Sequence, residues 1–334
     1  MKISILGTGG WGLALGKVLE GNGHEISFWT PSAAEVESLS QNSENKDKLP
    51  GVELPKSFRY TTDMAGATEN AGIIIFAVPS QFMESTAALL CECEKREVSV
   101  VSATKGISEN SLKRMSEVIL SNVKWLSADS VVALSGPTHA EEVARGVYTA
   151  IVAASPNQNL AKSVQEIFSN KTFRVYTSQD IVGVELCGSV KNVIAIAGGI
   201  IDGLENGVGD NTKAALITRG QAEIRRLGEK LGANPLTFSG LAGIGDLIVT
   251  CMSRHSRNRF VGEQIGKGKS LSEVLANMKM VAEGVPTCRS SHALAYSCGI
   301  EMPIVNAVYE TLFNGKNPRV AIEELMTREL KAES

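Results

Sequence analysis

The sequence predicts an α/β protein: a doubly wound parallel sheet followed by an all-helical C-terminal domain. Three observations predict it. A glycine loop, GTGGWG at residues 7–12, joins a β-branched run to a helix-spaced segment. Apolar runs of strand length then alternate with helix-length segments to about Thr177, the pattern of a sheet covered on both faces. From Asp180 onward the strand-like runs cease and helical segments follow one another. The boundary is expected near 178–182, giving domains of 1–179 and 180–334.

Residues 2–6 (KISIL) are the first expected strand. LALGKVLEGNG follows the glycine loop, with Leu13, Gly16, Val18 and Leu19 at helical spacing. HEISFW at 24–29 is the second strand. IIIFAV at 73–78 is nearly continuous and ends at Pro79, as suits a strand buried on both faces. VSVVS at 98–102 and the runs 131–134, 150–154 and 173–176 complete the expected sheet. Helices are expected over 180–203, 211–232, 257–266, 270–279, 287–299, 303–313 and 317–327.

The totals narrow the function. The 334 residues are 43% hydrophobic and 21% charged, ordinary for a soluble globular chain. A net charge of −3 gives no electrostatic footprint for nucleic acid or an anionic membrane. The six cysteines form no CxxC and no zinc-ligand spacing, so reduced thiols in a cytoplasmic protein are expected, and no metal. The N-terminal apolar run is too short for a signal-peptide core. ELCGSVKNVIAIAGGII at 185–201 approaches membrane-span length, but Glu185, Lys191 and Asn192 interrupt it. A central lysine alone costs roughly 2.5–3.5 kcal/mol on insertion scales. A buried helix of a soluble protein is the better expectation.

Gly7, Gly9 and Gly12 make GxGxxG between a strand and a helix. The first glycine permits the tight turn, the second admits a pyrophosphate to the backbone, and the third lets helix and strand pack closely. The helix N-terminus then offers free N–H groups to phosphate. This makes the N-terminal domain Rossmann-like and the cofactor NAD or NADP. The residue ending the second strand ordinarily separates the two: an acid for the ribose 2′-hydroxyl, an arginine for a 2′-phosphate. Trp29-Thr30-Pro31 carries neither, so both cofactors are expected to work.

Ligands of open α/β sheets bind beyond the carboxyl ends of the strands. AVPSQ (77–81), SATKG (102–106) and LSGPTHAEE (134–142) lie there. They bring Lys105, which by itself a solvated loop explains better, and His139, which titrates near neutrality but stands where a helix begins. In the helical half, Asp246 opens an apolar segment in GLAGIGDLIVT, where an N-cap is the commonplace role. SRHSRNR at 253–259 gathers Arg254, Arg257 and Arg259. Ser256 is placed to cap a helix starting at Arg257. An arginine fork at a helix N-terminus suits a phosphate group. Glu283, in MVAEGVPT, is unexplained by packing.

Together these stretches resemble the bacterial NAD(P)-dependent sn-glycerol-3-phosphate dehydrogenase family. GTGGWGLALG, FAVPSQ, TKGI, LSGPTHAEEVARG, ELCGSVKNVIAIAGGIIDGL, ITRGQAEI, LAGIGDLIVTC, SRNRFVG and AEGVPT stand in the family's order, over residues 1 to about 330. The resemblance implies reduction of dihydroxyacetone phosphate to sn-glycerol 3-phosphate, feeding phospholipid synthesis, and commonly a homodimer. It makes Lys191 the proton-transfer residue. It makes Lys105, Gly136, Thr138, Asp246, Ser256, Arg257 and Asn258 substrate contacts. Gly10, Trp11, Ala140, Val281 and Glu283 become cofactor contacts, with Lys105 and Arg257 able to touch both ligands. Thr30 stands where many members carry a basic residue, which argues against a strong NADP preference.

Ketone reduction needs a hydride at carbon and a proton at oxygen. A lysine in an apolar helix has its charged form disfavoured, so its pKa should fall toward the operating range. Asp246 and Lys105 would tune it in opposite directions. Two rivals share parts of this pattern. A 3-hydroxyacid dehydrogenase or ketopantoate reductase has the same layout and a helix lysine; the former spaces it as KxxN, whereas Lys191 and Asn192 are adjacent. A non-catalytic NAD(H) sensor would have no need of Lys191, Asp246 and SRN together.

Overall fold

The computed structural model describes residues 1–334 except 94, 96, 206, 207, 279, 331 and 334. The strands are β1 Lys2–Leu6, β2 Glu25–Trp29, β3 Arg59–Thr61, β4 Ile73–Phe76, β5 Ser99–Ser102, β6 Val131–Ser135, β7 Thr149–Ala154 and β8 Phe173–Ser178. The helices among them are α1 Gly10–Gly21, α2 Ala33–Gln41, α3 Met64–Thr68, α4 Met83–Cys91, α5 Met115–Asn122, α6 Ala140–Ala144 and α7 Gln158–Phe168. The helical half holds α8 Ile181–Gly203, α9 Asp210–Lys230, α10 Asp246–Met252, α11 Arg257–Gly266 and α12 Leu271–Ala276. It closes with α13 Gly284–Cys298, α14 Pro303–Phe313 and α15 Pro318–Met326. Of the helix expected over 270–279, position 279 lies outside the described residues.

The strands form one sheet in the order β3-β2-β1-β4-β5-β6-β7-β8. The strand order reverses between β1 and β4, which opens the crevice where a doubly wound sheet binds its ligand. β1 pairs Leu6 with Trp29 on one side and with Phe76 on the other, so three strand ends meet at the glycine loop. Two features correct the expected parallel sheet. β7 runs antiparallel to β6, with Ser135 opposite Val152, and β3 adds an edge strand beside β2. One apolar layer, including Leu13, Phe28, Leu134 and Phe168, covers one face of the sheet. A second, including Phe76, Met83, Val100 and Ile119, covers the other.

The helical half is built around α8, which is long and apolar enough to cross a membrane by composition but whose apolar stretch is buried. α9, α10, α11 and α13 pack on it. The close approach of α11 requires glycine: a Cβ at Gly199 would stand 1.9 Å from the Arg259 carbonyl oxygen, and one at Gly262 1.9 Å from that of Ile196. Polar side chains of α8 face the sheet domain. The Glu185 carboxylate accepts from Ser116 N (2.7 Å) and Ser116 Oγ (2.6 Å) at the start of α5, and from Arg114 (2.6 Å). One turn on, Ser189 Oγ accepts from Gly106 N at 2.9 Å. Through these bonds α8 and the loop carrying Lys105 share one frame.

Candidate active site

The glycine loop turns sharply after β1. Gly7 has φ +114°, and a Cβ there would lie 2.8 Å from the Ala77 carbonyl oxygen. At Gly12 a Cβ would meet the Gly7 carbonyl oxygen at 2.5 Å, so helix and strand meet only because both residues lack side chains. α1 begins after Gly9, whose lack of a side chain leaves the first N–H groups of the helix uncapped. Some other helices carry a side-chain cap: Ser32 caps α2, Asn157 caps α7 and Asp180 caps α8. Beside the loop, the buried Trp11 Nε1 has no partner among the described residues. A narrow glycine cradle, an uncapped N-terminus and an orphaned donor fit a dinucleotide pyrophosphate. Ala140, at the start of α6, packs within 3.7 Å of a Cβ placed on Gly10.

Lys191 lies mid-way along α8 with only 5% of its surface exposed. Its Nζ donates to Asp246 Oδ1 at 2.5 Å and to Thr250 Oγ1 at 2.6 Å. Lys105 donates to the other carboxylate oxygen, Asp246 Oδ2, at 2.7 Å, and to the Gly136 carbonyl at 3.2 Å. One fully buried carboxylate therefore joins two ammonium groups carried by different domains. The cluster carries net positive charge when both lysines are protonated. An ammonium has three donors. Each lysine has one left without a partner among the described residues, and both belong to the same cluster. Burial pulls the Lys191 pKa down from 10.5 to about 8, with Lys105 pushing the same way and Asp246 opposing. His139 is also held low, by burial and then by Lys191. Its Nε2 is buried without a described partner, and its ring lies 5.9 Å from that of His255.

Asp246 is the first residue of α10, where its carboxylate caps nothing and instead pairs with the lysines. Thr138 donates from Oγ1 to the Gly136 carbonyl at 3.1 Å. Asn192, next to Lys191, accepts from Asn258 Nδ2 at 2.9 Å, and Asn258 Oδ1 accepts from Gly284 N at 2.8 Å. Ser256 caps α11 through Arg259 N at 3.2 Å. Exposed Arg257 reaches back to the Val281 carbonyl at 2.9 Å. Arg259 points elsewhere, to Asp202 (2.5 Å) and Glu263 (3.4 Å), and so leaves the basic cluster that the sequence suggested. Glu283 accepts from Ser80 Oγ at 2.6 Å across the domain boundary, and burial raises its pKa. Thr30 is buried, and its hydroxyl is given to Glu35 at 2.9 Å.

A family model described as NAD-dependent glycerol-3-phosphate dehydrogenase N-terminus matches residues 2–161, and its C-terminus counterpart matches 180–323. The chain belongs to the NAD-dependent glycerol-3-phosphate dehydrogenase family. A glycerol-3-phosphate dehydrogenase [NAD(P)+] of Chlorobium luteolum is 49% identical over 333 residues, covering 100% of this chain and 99% of that protein. One from Geobacillus thermodenitrificans is 47% identical, covering 99% and 96%. The crystal structure of a Coxiella burnetii glycerol-3-phosphate dehydrogenase superposes with a TM-score of 0.93 at 35% identity, covering 98% and 99%. A ketopantoate reductase from Ralstonia eutropha shares the fold alone, with a TM-score of 0.64 at 16% identity. Two residues that contact the expected site residues were not singled out from sequence: Thr250, which accepts from Lys191, and Ser80, which meets Glu283. Thr250 sits one helical turn after Asp246, a spacing that could have found it.

Proposed function

We propose that this chain reduces dihydroxyacetone phosphate to sn-glycerol 3-phosphate, reversibly, with NADH or NADPH, and so supplies glycerophospholipid synthesis. The observation that carries the reading is Lys191: buried, shifted toward neutrality, and with two of its three donors fixed by Asp246 and Thr250. The third is free for a substrate oxygen. Gly7, Gly9, Gly10, Trp11, Gly12 and Ala140 would hold the cofactor on the sheet side, with Thr30 at its ribose end and Val281 and Glu283 on the facing loop. When bound, the nicotinamide supplies the hydride that reaches the ketone carbon. Lys191 gives its Nζ proton to the ketone oxygen, which leaves the amine neutral; in the reverse direction the neutral amine takes the proton back. Lys105 steadies the negative charge developing on that oxygen, and its own positive charge helps burial hold the Lys191 pKa low against Asp246.

Ser256, Arg257 and Asn258 hold the substrate phosphate at the start of α11, where the positive end of the helix and a guanidinium favour an anion. Lys105, Gly136 and Thr138 line the opposite wall. The reading extends to a homodimer in the cytoplasm, supported by the family resemblance. Sedimentation of the purified chain decides the dimer. The activity is tested by following loss of reduced-nicotinamide absorbance with dihydroxyacetone phosphate and with a panel of hydroxyacid precursors. Turnover confined to the phosphorylated ketone is expected. Turnover on ketopantoate or a short 3-oxoacid instead, or none at all, overturns the reading.

A further inference from the structure

The end of β2 lacks the acid or arginine that selects the dinucleotide, yet the structure places one of each sign beside it. Gly7 N donates to the Trp29 carbonyl at 2.9 Å, so residue 30 directly adjoins the glycine loop. Thr30 cannot present its hydroxyl to a ligand, since that hydroxyl is buried and donates to Glu35 Oε2 at 2.9 Å. Glu35 stands in the first turn of α2, aligned there by the Ser32 cap. Its other oxygen pairs with Lys48 Nζ. Lys48 in turn abuts the loop by its backbone: a Cβ on Gly10 would lie 2.4 Å from the Lys48 carbonyl oxygen. Glu35 and Lys48 keep 18% and 34% of their side-chain surface exposed, so both remain open to a ligand.

We infer that the Glu35–Lys48 pair, rather than residue 30, sets which dinucleotide this chain takes, with Glu35 favouring NAD(H). The inference rests on the dinucleotide-binding reading above. Thr30 works through Glu35 as a positioning residue, fixing one carboxylate oxygen at the strand end. That carboxylate can accept from an adenosine ribose 2′-hydroxyl and repels a 2′-phosphate. Lys48 moderates the repulsion. It neutralises Glu35 when the 2′ position carries a hydroxyl and is the nearest cation when it carries a phosphate. Residue 30 alone gave no preference; the pair gives one, for NADH, and keeps it from being absolute.

The test measures dissociation constants of the full chain for NADH and NADPH by nicotinamide fluorescence, without substrate. The parent should bind NADH roughly tenfold more tightly than NADPH, the weight of one charge-assisted hydrogen bond. Glu35→Gln should collapse the ratio, mainly by tightening NADPH. Lys48→Met should move it the other way by weakening NADPH, because the repelling carboxylate is left uncompensated. Thr30→Val should reduce the ratio in part. Opposite movement in the Glu35 and Lys48 variants is a signature that general loss of folding does not give. A parent that favours NADPH, or a ratio unmoved by Glu35→Gln, overturns the inference while leaving the dehydrogenase reading intact. Failure of the parent to bind either dinucleotide overturns both.

Discussion

Lys191 and Asn192 are adjacent because they do different work on one helix turn. Lys191 enters the buried cluster with Asp246 and Lys105, while Asn192 ties α8 to Asn258 at the start of α11. The proposed proton donor and the proposed phosphate seat are thereby held in fixed register. Lys191→Met keeps most of the side-chain length and removes the charge, and Asp246 retains Lys105 as its partner. The variant should fold and bind cofactor, while turnover falls roughly 10²–10⁴-fold, the usual weight of a positioned acid. Its stability should change with a definite sign. Folding lowers the Lys191 pKa from 10.5 to about 8, so between those values the unfolded parent binds more protons and the parent gains stability as pH rises. Lys191→Met should therefore be the more stable protein at pH 7, by denaturant midpoint. That advantage should shrink between about pH 8 and 10.5. A constant difference would mean that Lys191 has no depressed pKa.

At the scale of elements, the N-terminus of α11 is the proposed phosphate seat, and Arg257 its exposed cation. Arg257→Ala should raise KM for dihydroxyacetone phosphate roughly tenfold to a hundredfold, the loss of one charge-assisted contact. KM unchanged would place the phosphate elsewhere. α14 offers an independent test of buried charge. Its first N–H groups, of Ile304 and Val305, donate to Glu223 on α9 at 2.8 and 3.3 Å. Burial raises the Glu223 pKa from 4.5 to about 7 in spite of those bonds. A raised carboxylate pKa contributes stability that is lost as pH rises through the folded value. Between pH 4.5 and about 7, thermal midpoints of the parent should accordingly fall relative to Glu223→Gln. Parallel midpoints would contradict it.

Much at this scale was legible in the sequence. The apolar runs of β1, β4 and β5 and the helical spacing of α1 and α11 are local signals, so the elements followed from them. β3 was missed because three half-exposed residues at a sheet edge carry no periodicity. The reversal of β7 was hidden because alternation reports burial and not direction. α10 and the irregular turn over 241–245 were missed for another reason: glycines at 240, 243 and 245 read as loop, yet they allow the tight backbone that delivers Asp246.

In the whole molecule the proposed active site lies where the domains meet. Lys105 and Gly136 come from sheet loops, whereas Lys191, Asp246, Thr250 and the α11 cluster come from helices. The sequence and its family resemblance named most of these residues and set Asp246 and Lys105 to tune Lys191, but did not show the hydrogen bonds that join them. Lys105 and Asp246 stand 141 positions apart, and no local pattern shows that they share a carboxylate with Lys191. The reading of Thr30 failed to reach Glu35 and Lys48 for the same reason: their meeting is a property of the folded loop.

The central claim is that a buried lysine with its pKa near 8 passes the proton. The most direct measurement is the pH dependence of kcat/KM in both directions, for the parent and Lys191→Met. Reduction needs the protonated amine and should decline above about pH 8; oxidation needs the neutral amine and should climb through the same range. Both limbs should be absent from the residual rate of the variant. Limbs that persist unchanged in Lys191→Met would assign the proton to another group and contradict the account.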